Sequence, residues 1–274
     1  MSKAFSILVW NVEHFGATDK KKKKPKKKIG PIIKKIADSK ADIVAIIEVR
    51  SSLVAAELMK ELPDHFFFIT EGEQMQEILV GIRKSLPAFI TQKNEFQAGQ
   101  TTLRPGLLVT PMVDGEAYPL LFLHVKSMPD PRGFGIRNYM TKKAFDFRKV
   151  LKDAIGGKTP NYIFLGDLNT MGMNYFGSDK DISGGREIKE LAAAAKRRNM
   201  RLLSKDHSAT YWSDEYGESD LDHVVAMDHL KFKTFGGKEV RVSGWNNKNT
   251  DAERKDWVKK YSDHAMLYLE VQKV

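Results

Sequence analysis

The stretch FLGDLNT, residues 164–170, is an apolar run that stops abruptly at a carboxylate and an amide, Asp167 and Asn169. Its upstream half, with Tyr162 and Ile163, reads as a buried β-strand, and its downstream half as the polar turn that ends it. A buried strand that ends on two chemically capable side chains raises the question of what else converges there.

Other strand ends carry the same signature. FSILVWN (5–11) ends at Asn11, with Glu13 just beyond, and DIVAIIEV (42–49) carries Glu48 near its end. YPLLFLHV holds His124, LDHVVAM opens with Asp222 and His223, and Asp263 and His264 precede the closing strand HAMLYLEVQ. Each residue alone has an ordinary explanation as a turn cap or a satisfied core group. Together they form a set that open sheets gather at strand ends, where turns bring side chains from distant positions to one place.

The intervening segments define an α/β architecture. Ile32, Ile33 and Ile36 follow a helical spacing between the first two strands, so the opening is a strand–helix–strand unit with parallel strands. A helix over 51–62 is expected with Ser51 as its N-cap, and another from about 136 to 152. GREIKELAAAAKRRNM (185–200) and DAERKDWVKKY are further helices, and short strands separated by Pro and Gly turns fill the rest. Many short strands with helices outside them predict two packed sheets flanked by helices.

The chain has 274 residues, 42% of them apolar, enough for a substantial core in one large domain. It has no cysteine, which excludes disulfides, thiolate metal sites and cysteine nucleophiles. A metal would have to be held by oxygen or imidazole, which favours Mg²⁺, Mn²⁺ or Ca²⁺. No apolar run approaches the roughly 18 residues of a membrane span, and the start does not read as a signal peptide. A soluble cytoplasmic monomer is the expectation.

The formal charge is +10, and it falls to +2 once the eight lysines Lys20–Lys24 and Lys26–Lys28 are set aside. Such dense like charge around Pro25 reads as a loop, at 19–30. It is either a solvated insertion or an electrostatic arm for nucleic acid or anionic lipid.

The ordered motifs WNVEHF (10–15), IIEV (46–49), LHVKS (123–127), GDLNT (166–170), SDLDHV (219–224) and SDHAML (262–267) resemble the endonuclease/exonuclease/phosphatase family. That family includes pancreatic-type deoxyribonucleases, apurinic endonucleases, inositol polyphosphate 5-phosphatases and bacterial sphingomyelinases. The resemblance covers nearly the whole chain and is closest to a general, bacterial-type member. It implies a single domain over 1–274: a four-layered α/β sandwich, two mixed, mostly antiparallel sheets face to face with helices outside.

The resemblance also implies roles. Glu48 is the principal metal ligand, Asp263 an additional one, Glu13 a second acid found in some members, and Asn11 lies beside metal and phosphate. Asp167 orients the attacking water and Asn169 contacts phosphate. His264 is the general base, oriented by Asp222, and His124 binds phosphate or assists the leaving group. Glu77 sits where deoxyribonucleases place a carboxylate behind that histidine. His223 is expected to pack. Lys126 and Arg104 are candidate phosphate contacts, with a solvated lysine and a turn-anchoring arginine as their plain alternatives. The loop KSMPDPRGFGIRNYMTKK (126–143), with Arg132, Arg137, Lys142 and Lys143 interleaved with Phe134 and Tyr139, reads either as a nucleic-acid contact or as an active-site loop leading into a helix.

The expected chemistry is Mg²⁺-dependent phosphoester hydrolysis, with a nuclease acting on DNA or RNA as the leading reading. The alternatives are a phosphatase or phosphodiesterase for a small, inositol or lipid phosphoester, and a non-catalytic nucleic-acid-binding protein. The aromatic insertions of apurinic endonucleases and the long apolar hairpin of secreted sphingomyelinases are missing, and fold alone does not choose the substrate.

Overall fold

The computed structural model describes residues 2–19, 24–25, 29–74 and 76–274. Most of the lysine run therefore lies outside the described residues. Of its neighbourhood, Lys24–Pro25 pairs antiparallel with Thr18–Asp19, a short ladder where a loop was expected.

In chain order the first half runs β1 (Lys3–Phe15), α1 (Ile29–Asp38), β2 (Ile43–Val49), α2 (Ser52–Glu61), β3 (His65–Ile69), β4 (Glu77–Arg83), β5 (Ala88–Lys93), β6 (Gly106–Val113), β7 (Glu116–Ala117) and β8 (Leu120–His124). The second half runs α3 (Pro131–Ala154), β9 (Ile163–Asp167), α4 (Gly184–Lys196), β10 (Met200–Leu202), β11 (Asp222–Met227), β12 (Arg241–Ser243), α5 (Asp251–Lys260) and β13 (Met266–Gln272). Short ladders at 172–183 and 211–219 stand apart from the main sheets.

One sheet has six strands in the order β12-β13-β1-β2-β4-β3. The other has seven, in the order β10-β11-β9-β8-β6-β5 with β7 beside β6. The pair β1–β2 is parallel, as the opening strand–helix–strand unit requires, and β8–β9 is parallel through the crossover helix α3. The remaining pairs in both sheets are antiparallel.

Both faces of the central strands are covered, so their sequences are continuously apolar yet still sort by alternation. On β1, Leu8, Trp10 and Val12 pack with Ile32, Ile33 and Ile36 of α1 and with Val54 and Leu58 of α2. Phe5, Ile7 and Val9 point the other way, into the core between the sheets. On the outside of the second sheet, Phe145 of α3 meets Phe164 edge-on with centroids 5.0 Å apart.

Helix α3 begins at Pro131, five residues before the start expected from periodicity. Asp130 accepts hydrogen bonds from the backbone N–H groups of Arg132 and Gly133, and proline occupies the first turn, where its missing N–H is harmless. Arg132, Arg137, Lys142 and Lys143 are therefore helix residues, not members of a loop. Ser51 caps α2 as its sequence predicts, and Thr250 with Glu253 closes a capping box on α5.

Gly166 sits where β9 runs closest to β8. Its φ is +133°, and an added Cβ would lie 2.1 Å from the carbonyl oxygen of Leu123. The glycine of GDLN is thus required by the approach of two parallel strands. Gly166→Ala is expected to lower stability by more than ~2 kcal/mol, read as a lower urea midpoint.

Candidate active site

The alternation that fills the core also places the polar groups. Asn11 continues the Phe5–Ile7–Val9 series by one further step at the end of β1. Across the second sheet, His124 is in register with Asp167, and Asp167 with Asp222, on three adjacent strands. The inner core therefore ends at one rim in a buried cluster of amide, imidazole and carboxylate.

Glu48 reaches that rim by breaking the alternation. The β1–β2 and β2–β4 ladders both shift register around it, and its φ is +66°. Two other residues at this rim, His14 at +52° and Asn169 at +48°, hold the same left-handed backbone. Asn and His enter this region more readily than most residues, but for Glu48 it is disfavoured and persists where surrounding structure enforces it.

The contacts are direct. His264 Nδ1 and Asp222 Oδ2 are 2.8 Å apart, and His264 Nε2 lies 3.9 Å from Asp167 Oδ2. Asn11 Nδ2 donates to Asp167 Oδ2 at 2.9 Å and to Glu48 Oε1 at 3.3 Å. His124 Nε2 faces the same pair, 3.6 Å from Asp167 and 3.7 Å from Glu48. The backbone N–H of Asn169 donates to Asp167 Oδ1, and its side-chain amide to the carbonyl of Val125.

The frame behind the cluster is equally specific. Trp10 Nε1 donates to the His264 carbonyl, and Ser262 Oγ bridges the carbonyl of Asn11 and the N–H of His264. Thr210 Oγ1 accepts from the N–H groups of Leu221 and Asp222.

The electrostatics are strongly perturbed. Burial pulls the His264 imidazole down, but Asp222 and Asp167 outweigh it and hold the group well above its ordinary value. Burial pushes the Asp167 carboxyl up to about 7, against the pull of His264. Burial also raises Glu48, yet the hydrogen bond from His14 and the charge of His124 bring it well below the usual carboxylate range. His124 is driven well below its ordinary value by burial and by Arg104.

A cleft of about 930 Å³ opens over this cluster, and Glu48, Arg104, His124, Lys126, Asp167, Asn169 and His264 line it. Of the other residues named from sequence, Glu13 and Asp263 are half-buried and do not line the cleft; Asp263 accepts a hydrogen bond from Ser262. Arg137 does not reach the cleft at all. It is 1% exposed and its guanidinium is held by Glu187 at 2.8 Å and by the carbonyls of Met128 and Gly172, so it braces the rim instead of meeting substrate. Glu77 does not support His124 either. It accepts from Thr70 and from the N–H of Gly72, and His124 Nδ1 has no hydrogen-bond partner among the described residues.

His223 is more than packing. Fully buried, it meets Thr170 Oγ1 at 2.7 Å on one side and Lys205 on the other, and Lys205 pairs with Asp220. Sequence reading also passed over His14, whose Nδ1 is 2.9 Å from Glu48 Oε2. Gln76 ties His14 and Glu48 to Arg104, and Tyr211 packs edge-on against His264 at 5.2 Å. His14 stands in WNVEHF, three residues past Asn11 and next to Glu13.

The cluster fits a bound cation. Asp167, Asp222 and His264 offer ligand atoms within 4.8 Å of one another, and Glu48 adds a further carboxylate beside Asp167. Asn11 Oδ1 is buried with no partner among the described residues. Clustered carboxylates, one pushed up by burial, and an orphaned amide oxygen call for a positive charge.

Two facing sheets with such a cluster at their common end define a DNase I-like phosphoesterase. The model of the Endonuclease/Exonuclease/phosphatase family matches residues 8–264, and the chain belongs to that family. Solved structures of the same fold include D. rerio TDP2 complexed with single-strand DNA product, at TM-score 0.64 and 16% identity over 98% of this chain and 99% of that one. An endonuclease/exonuclease/phosphatase from Bacteroides vulgatus gives 0.62 and 11% over 98% and 99%, and one from Beutenbergia cavernae 0.63 and 13% over 99% and 72%. No curated protein matches the sequence. No helix among the described residues is long and apolar enough to cross a membrane.

Proposed function

We propose that the protein is a Mg²⁺-dependent nuclease that hydrolyses phosphodiester bonds by in-line attack of water. The observation that carries the reading is the His264–Asp222 pair, with Asp167 Oδ2 at 3.9 Å from the free imidazole nitrogen. A water between Nε2 and Asp167 is oriented by the carboxylate and loses its proton to Nε2, while Asp222 holds the Nδ1 proton and the ring's orientation. The water oxygen bonds to phosphorus as the leaving-group oxygen departs on the opposite side.

Asn169, whose side chain lines the cleft, keeps one amide hydrogen for a phosphoryl oxygen, Asn11 contacts phosphate only if it releases Asp167 or Glu48, and Arg104 and Lys126 supply positive charge from the cleft wall. His124, kept neutral by burial and Arg104, donates to a phosphate oxygen or to the leaving group. A hard divalent cation held by Glu48, with Asn11 and the acids near it, supplies Lewis-acid polarisation of the phosphoryl oxygen when bound. Mn²⁺ or Ca²⁺ suits the same oxygen donors. The TDP2 structure holding single-strand DNA product lends weight to a nucleic-acid substrate for this cleft.

Digestion of plasmid DNA with Mg²⁺ or Mn²⁺, beside an EDTA control and Asp167→Ala, tests the reading. Metal-dependent nicking that vanishes in the variant is expected. Its rate at subsaturating DNA should fall steeply with salt, because several phosphates are neutralised on binding. Intact plasmid with brisk hydrolysis of a small phosphoester would instead favour a phosphatase.

A further inference from the structure

Two loops at the mouth of the cleft carry aromatic side chains that face solvent. Tyr216, at the turn of the 211–219 ladder, lines the cleft and is 72% exposed. Asn174 and Met171 line it from the 172–183 ladder, and the two residues after Asn174, Tyr175 and Phe176, are exposed, Phe176 completely. This second loop has a fixed base. Asn174 N–H donates to the carbonyl of Pro129 and Tyr175 N–H to Asp181, while Gly172 is held by Arg137 and Glu187.

An apolar ring held in water on a braced loop gains nothing for the fold. Beside a cleft with Arg104 and Lys126 on its wall, it suits a ligand that is anionic along a backbone and has flat apolar faces. A duplex hides those faces in its stack, and an unpaired strand exposes them. The acids nearby are consistent with base contact at the rim and phosphate contact deeper in. Asp214 is paired with Lys255, and Asp181 is engaged by the Tyr175 backbone.

Resting on the nuclease reading, we infer that Phe176 and Tyr216 form a stacking rim that selects single-stranded nucleic acid over duplex. The aromatics of the 126–143 segment do not serve this purpose. Phe134 and Tyr139 lie on α3 and do not line the cleft, and Arg137 and Lys143 sit over one face of their rings.

The test is fluorescence anisotropy with Ca²⁺ in place of Mg²⁺, using a labelled strand of about 12 nucleotides and its blunt duplex, with bis(p-nitrophenyl) phosphate turnover as the readout of chemistry. Phe176→Ala is expected to weaken single-strand binding about tenfold, corresponding to one lost base stack, and Tyr216→Ala to do the same. Phe176→Trp should retain affinity, and neither Phe176 variant should change duplex binding or turnover of the small ester. Equal losses on strand and duplex, or unchanged strand binding in both alanine variants, would overturn the rim. Flotation with phosphatidylcholine–phosphatidylserine vesicles that is lost in Phe176→Ala would overturn it in favour of a membrane contact. Wild-type protein that hydrolyses the small ester yet binds neither strand nor duplex would sink the nuclease reading itself.

Discussion

His264→Ala is expected to lower the rate of hydrolysis by about 10²- to 10⁴-fold, the usual contribution of a positioned general base, with the fold retained. The side chain lies at the rim of the core and its backbone is held independently by Trp10 and Ser262, so circular dichroism should still show the fold, while the unfolding midpoint falls by the lost contribution of the buried His264–Asp222 pair. Normal turnover in the variant would remove the base assignment. The pH dependence carries the same information. Asp222 and Asp167 raise the imidazole above its ordinary value, so the active, neutral form gains population only on the alkaline side, and the rate should climb as pH rises past that of a free histidine. In Asp222→Asn the larger of the raising charges is gone while Asp167 remains, and the acidic limb should move to lower pH while turnover drops. Stability follows the opposite sign. The His264–Asp222 contribution is complete below the unfolded histidine value of about 6.5 and is lost as pH rises through the folded value.

Glu48→Gln is expected to reduce activity by about 10³-fold at a fixed low metal concentration and to raise the half-saturating metal concentration in a calorimetric titration. The substitution preserves shape but removes the charge that faces Asn11, His124 and His14. Excess metal should restore part of the rate in this variant and none in His264→Ala, which separates a ligand from a base. Unchanged metal binding in Glu48→Gln would place the cation in the Asp167–Asp222–His264 group instead.

The sequence by itself determined the family, the parallel pairing of the two opening strands and the polar residues that cap the inner core; the order of strands across each sheet came only from the structure. Asn11, Glu48, His124, Asp167, Asn169, Asp222 and His264 were legible because each is a polar residue at or beside one end of an apolar strand, and such contrast survives without coordinates. The parallel opening unit and the cap at Ser51 were legible for the same local reason. Tertiary structure alone decided what long side chains reach. Arg137 looked like a phosphate contact in a basic segment, yet Asp130 and Pro131 start a helix that turns it onto Glu187. Glu77 looked like a support for His124, yet the 70–72 turn uses its carboxylate. His14 and Gln76 carry no motif of their own, and only the left-handed backbone at His14 and Glu48 brings them together. Strand periodicity fixes direction one residue at a time. The direction of an arginine or glutamate several bonds from its backbone depends on partners far away in the chain, which only folding supplies.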